Sequence, residues 1–255
     1  MTCGMKGSIL YLLPRTPFSR TARTVLAGLL CALLTCPGAG AQVPNLAPGS
    51  RVAEAELGRR GAAAYFSTES LPDSIVRLVR GRSWREGCPV ALADLRYVRC
   101  LHRNAAGAAV VGEMVLHRRV AKGVEGLLRK LFDAGYPIER MVLVDRYGAD
   151  DERSMAANNS SGFNFRTVAG SKRVSKHGLG LAVDINPLYN PCVKRGRDGR
   201  LHVQPAAGAR YADRSRRSPY SIRPGDLCCR LFGQLGFAWG GNWKRTKDYQ
   251  HFEAR

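Results

Sequence analysis

The sequence predicts an α+β domain built on an antiparallel sheet. Strand-like alternation, as in residues 112–117, and helical spacing, as in residues 120–134, both occur along the 255 residues. They do not follow one another in the regular strand–helix rhythm that a parallel sheet requires, so the sheet is expected to be antiparallel, with helices to one side.

Taken in order, residues 42–64 form a tether: up to about Arg60 they are rich in Pro, Gly and Ala, with little apolar period. A single folded domain is expected to occupy 65–255. Residues 70–79 read as a short amphipathic helix capped by Ser70 or Asp73, with Leu71, Ile75, Val76, Leu78 and Val79 apolar. Residues 81–100 enter a strand near 95–101, and a second strand follows at 112–117. Val120, Val124, Leu127, Leu128, Leu131 and Phe132 then recur at helical spacing, Gly135 marks the stop and Pro137 forbids continuation. Residues 141–144 read as an apolar strand, and the polar run 148–162 is long enough to suggest a functional loop. After a strand at 181–185 comes a basic excursion over 192–224, holding Arg195, Arg197, Arg210, Arg214, Arg216, Arg217 and Arg223. Helical spacing returns through Leu227, Leu231, Phe232 and Leu235, and Gly236 ends it.

The first residues contain Lys6, Arg15, Arg20 and Arg23 and no acid before the apolar run 25–34 and the small residues around Ala41. That layout predicts a secretory signal over 1–41, cleaved after Ala41; lipid attachment at Cys36 is the competing reading. The apolar run is shorter than the about 20 residues a membrane span needs, so no transmembrane span is expected in the mature chain. An exported protein of the periplasm or cell envelope meets oxidising conditions, and disulfides are the ordinary expectation for Cys88, Cys100, Cys192, Cys228 and Cys229. Cys88 is expected to pair with Cys100, and Cys192 with Cys228 or Cys229. Forty basic residues against twenty acidic ones give a formal charge of +20. With no recognisable nucleic-acid motif, the expected polyanionic partners are the anionic polymers of a cell envelope.

The chemistry concentrates in two stretches. Ser175-Lys-His-Gly-Leu-Gly-Leu-Ala-Val-Asp184 offers the imidazole of His177 and the carboxylate of Asp184, and Trp239-Gly-Gly-Asn-Trp-Lys-Arg-Thr-Lys-Asp-Tyr-Gln-His251 adds Asp248 and His251. Two histidines and one aspartate suit a zinc ion with a coordination position left open for water, which is the pattern of catalytic sites. Asp248 remains as a general base. The alternative for Asp248 is a surface carboxylate paired with Lys244 or Lys247. Residues three apart face opposite ways on a straight strand, so Asp248 is expected on a turn or distortion before the strand that holds His251. His102, His117 and His202 fall outside any ligand spacing and read as structural.

These stretches resemble the VanY-like family of zinc D-alanyl-D-alanine carboxypeptidases and L-alanyl-D-glutamate peptidases. Its pattern is met by Ser175, His177, Gly180, Ala182 and Asp184, followed by Asp248 and His251. The segments 158–166 and 184–191 are similar too. The resemblance implies a small antiparallel sheet carrying one zinc ion on His177, Asp184 and His251, with helices on one side. It also implies that Arg166 stabilises the scissile carbonyl or binds a substrate carboxylate, and that Ser175 contacts substrate or helps the local turn. Trp243 and Tyr249 are candidates to wall a peptide cleft; Trp239 is a candidate for the same wall or for the core. The implied substrate is a peptidoglycan stem peptide, cut at D-Ala-D-Ala or at L-Ala-D-Glu. A non-catalytic, zinc-containing wall-binding module is the alternative. Cys192 stands where relatives often place an aromatic, a departure that weakens transfer of substrate preference.

Overall fold

The computed structural model describes residues 44–168, 171–196, 198–216 and 218–255. The leader read in 1–41, with Cys36 and Ala41, lies outside these residues, as do Arg197 and Arg217. The first sheet is antiparallel and four-stranded. Its strands β1 (Arg51–Val52), β2 (Ser67–Ser70), β3 (Leu95–Arg103) and β4 (Ala109–His117) lie in the order β1-β4-β3-β2. A hairpin dominates it, with β3 and β4 in register from Leu95 opposite His117 to Arg103 opposite Ala109. The connecting turn is closed by Asn104, whose Oδ1 accepts from the amides of Ala106 and Ala108.

Helix α1 (Glu54–Arg60) follows β1, and α2 (Asp73–Val79) follows β2. Val52 and Leu57 are buried with Tyr65, Leu101 and Phe132. The tether reading of 42–64 therefore fails from Leu46 onward: Leu46, Val52, Leu57, Ala62 and Ala64 pack the segment against the sheet, and the Gly49 amide donates to the Val111 carbonyl. Directly after β4, α3 (Arg118–Asp133) lays Ala121, Val124, Leu127, Leu128 and Leu131 on the apolar face of the hairpin. Its first turn is capped by the His117 ring, which accepts from the Arg119 amide at 3.1 Å.

Residues 141–144 do not form the expected strand. Their backbone groups are held largely by side chains: Asn159 bonds both the amide and the carbonyl of Val142, and the fully buried Glu113 accepts from the Leu143 amide at 3.2 Å. An apolar run whose polar groups are met this way has no need of a ladder. The polar run 148–162 contains a short helix, α4 (Asp151–Ala156), capped by Asp150.

Two small antiparallel sheets complete the fold. One comprises β5 (Ala182–Asp184), β8 (Phe237–Trp239) and β10 (His251–Ala254), with β10 central. The other comprises β6 (Cys192–Arg195), β7 (Leu201–Gln204) and β9 (Thr246–Asp248), with β6 central. The basic excursion is thus partly a hairpin, and it supplies the strand that pairs with Asp248. Helix α5 (Leu227–Gln234) is capped by Asp226, which accepts from the Cys229 amide. One core joins the layers. Val98, Met114, Leu116 and the apolar face of α3 pack with Val183, Ile185, Phe232, Trp239 and Phe252.

All five cysteines in the described residues are free thiols, contrary to the disulfide expectation. Cys100 is fully buried with its sulfur 3.4 Å from Met141 Sδ, whereas Cys88 packs in a separate apolar cluster around Val90 and Leu95. Opposite placement in the core, not distance along the chain, separates that pair. Among the described residues no helix is long and apolar enough to cross a membrane.

Candidate metal centre

Three elements bring His177, Asp184 and His251 together. Asp184 ends β5 and His251 begins β10, and the antiparallel register sets them directly opposite each other. Paired positions present their side chains to the same face, about 5 Å apart at Cβ. His177 arrives on a single 3-10 turn, His177–Leu179, which Gly180 closes in the left-handed region at φ 66°. A Cβ on Gly180 would stand 2.7 Å from the His117 amide nitrogen, so this turn can rest on the end of β4 only with glycine there.

The His177 Nε2 lies 3.1 Å from His251 Nδ1 and 3.2 Å from Asp184 Oδ2, and His251 Nδ1 lies 3.1 Å from Asp184 Oδ1. All three residues are buried. The remaining ring nitrogens fix the tautomers. His177 Nδ1 donates to the Gly162 carbonyl at 2.6 Å, and His251 Nε2 donates to Glu253 Oε2 at 3.2 Å. With both outer nitrogens protonated, each imidazole would turn a lone pair inward toward a bound cation. Two donor atoms about 2.0–2.1 Å from one ion at a tetrahedral angle would stand about 3.3 Å apart, close to the separations seen here. The residues thus fit a small divalent cation of borderline softness.

Electrostatics point the same way. Burial would raise the Asp184 carboxyl, but His177 and then His251 hold it well below the usual carboxylate range. Burial would lower His251, but its bonds to Asp184 and Glu253 outweigh that and push the imidazole up to about 10. The pocket calls for positive charge at its centre.

Asp248 enters from the neighbouring sheet. It ends β9, two residues before β10, so Asp248 and His251 belong to different sheets and the expected distortion is a crossing from one to the other. Across the ladder Asp248 faces Cys192. Its Oδ1 is buried and meets no hydrogen-bond partner. Burial pushes this carboxyl up to about 6, and the negative Asp184 adds to the rise while the two imidazoles oppose it. The alternative, a surface pairing with Lys244 or Lys247, is not among the ion pairs of the described residues, and Lys247 bonds the Gly241 carbonyl. Gly240 permits the close approach: a Cβ there would stand 2.6 Å from the Asp248 carbonyl oxygen and 3.3 Å from the His251 Cβ.

The other sequence-predicted residues are less central. The Arg166 guanidinium contacts the Asp151 carboxylate, and Asp151 also accepts from Asn164. Ser175 is buried and its Oγ accepts from the His177 amide at 3.2 Å, which is the turn-supporting role. The Trp243 ring lies 5.3 Å from the His251 ring. Tyr249 packs between the Trp239 ring at 6.2 Å and the Arg214 guanidinium at 4.4 Å. Trp239 itself is in the core, its indole donating to the Tyr249 carbonyl. His102 is buried with Nδ1 donating to the Ile138 carbonyl, and His117 caps α3, both structural as expected.

Sequence reasoning missed Glu253 and the Gly162 carbonyl, the two groups that hold the outer nitrogens of the histidines. Glu253 had a signal, since residues two apart on a strand share a face. A backbone carbonyl has none. Residues 169–254 match the family model described as D-alanyl-D-alanine carboxypeptidase. No curated protein and no solved structure matches the chain.

Proposed function

We propose, from the match of residues 169–254 to the family model described as D-alanyl-D-alanine carboxypeptidase, that the chain is an exported zinc peptidase of that family. Its substrate is the peptide part of peptidoglycan, cut at the terminal D-Ala-D-Ala bond or at the L-Ala-D-Glu bond. The observation that carries this reading is the convergence of His177 Nε2, His251 Nδ1 and the Asp184 carboxylate within 3.1–3.2 Å of one another, with an unpartnered Asp248 oxygen close by.

A zinc ion bound there would polarise the scissile carbonyl and lower the pKa of a water toward about 7. The chain's own residues do the rest. Asp248 accepts a proton from the attacking water and returns it to the leaving amine as the amide C–N bond breaks. Its buried, unpartnered oxygen supports that role, because it is free to receive the proton. Arg166 is positioned by Asp151 and has further donors with which to hold a substrate carboxylate or the carbonyl oxygen where negative charge grows. Trp243 walls the approach to His251.

Digestion of defined muropeptides with the zinc-loaded protein, read by mass spectrometry, tests this. Loss of one alanine marks the carboxypeptidase, and separation of the stem after L-Ala marks the endopeptidase. Binding of wall peptides with no hydrolysis of any of them would leave a wall-binding module in place of an enzyme.

A further inference from the structure

We propose that Glu253 is a positioning residue for His251, fixing its tautomer so that Nδ1 is the nitrogen turned toward the metal. The inference rests on the reading that His177, Asp184 and His251 hold the ion. His251 and Glu253 are two apart on β10 and share a face of the sheet. Their side chains meet at 3.2 Å, Nε2 to Oε2. His251 is 6% exposed, so its outer nitrogen has little water to turn to and needs a protein acceptor.

The strand fixes that acceptor in place. Glu253 lies on the central strand of its sheet, opposite Ala182 on one side and Ala238 on the other. Neither methyl offers a competing hydrogen bond. On the neighbouring residue, the Ala254 carbonyl accepts from Lys176 Nζ at 2.8 Å, which ties the end of β10 to the turn that holds His177. The two histidines are thus supported differently. His177 leans on a neutral carbonyl, at Gly162, and His251 on a carboxylate. A carboxylate behind an imidazole fixes ring orientation and strengthens the imidazole as a ligand, and loss of such a partner commonly lowers metal affinity about 10–100-fold. The plainer account is a partly exposed glutamate that only neutralises Lys176 and Arg173 nearby.

The two accounts separate in zinc affinity. Wild type, Glu253→Gln and Glu253→Ala would be compared by chelator competition, with the melting temperature of each metal-free protein and the imidazole ¹⁵N shifts of His251 measured alongside. The expected result is roughly tenfold weaker zinc binding for Gln, whose amide oxygen still accepts from Nε2, and a loss nearer 100-fold for Ala. In the zinc-loaded proteins wild type and Gln should show the Nε2–H tautomer and Ala a mixture, with the metal-free melting temperature of the Gln variant unchanged. Zinc affinity of Glu253→Gln within twofold of wild type would overturn the inference while leaving the metal site standing. Failure of wild type to bind zinc would overturn both.

Discussion

Asp248 keeps one carboxylate oxygen buried and unpartnered, a condition that costs about 1–3 kcal/mol and persists where the group has another use. Asp248→Asn preserves its shape and removes the proposed base. Peptide hydrolysis should fall about 10²–10⁴-fold while zinc binding, followed by chelator competition, stays near wild type. Full activity in that variant would leave Asp248 a bystander. Burial pushes the carboxyl up to about 6, and only the ionised form accepts a proton, so kcat/KM should decline as pH falls through about 6. A bound dication favours the ionised form, so the midpoint moves lower and never higher. A pH–rate profile on a neutral-to-acid series reads this limb directly.

At the scale of elements, the centre depends on two strands from different sheets passing close to each other. Gly240 sits in that gap, and a methyl there would press on the Asp248 backbone at 2.6 Å. Gly240→Ala is expected to move β9, costing about 1–3 kcal/mol in urea unfolding and lowering activity more than zinc affinity. Phe252 lies between His251 and Glu253, fully buried and stacked 4.2 Å from Phe232. Its truncation to Ala should cost about 3–5 kcal/mol, measured by the same denaturation. The pattern of residues 120–134 was legible as a helix because the core sees only one of its faces. Residues 141–144 were misread because Asn159 and Glu113, distant in sequence, meet their backbone groups; the apolar pattern of a strand and of a side-chain-held extended segment is the same.

For the whole molecule, stability and charge give further tests. His102 is 2% exposed, and burial pushes its imidazole down to about 4, against a bond to Ile138 that raises it. A folded pKa below the unfolded value means that its stabilising effect is complete above about 6.5 and lost as pH falls toward 4. Urea unfolding of wild type against His102→Gln should show a pH dependence in that window for wild type that the variant lacks. The formal charge of +20, of which Lys6, Arg15, Arg20 and Arg23 of the expected leader hold four, leaves a basic excess that predicts retention on an anionic wall polymer that weakens steeply with salt. Retention unchanged between 0.05 and about 1 M NaCl, measured on isolated wall fragments, would exclude a charge-driven partner.

The sequence by itself determined the residue types of the centre, because histidine and aspartate at fixed spacing have few other uses together, and it determined the α+β class, because local periodicity survives without knowledge of neighbours. Only the tertiary structure decided which atoms face which. The β5–β10 register, the crossing of β9 past Gly240, the Gly162 carbonyl behind His177 and Glu253 behind His251 all join residues through space. The same holds for the cysteines: export suggested bridges, but Cys88 and Cys100 pack in separate clusters of the core. Pairing across sheets and sulfur geometry depend on how distant segments pack, and no local pattern in the chain encodes that.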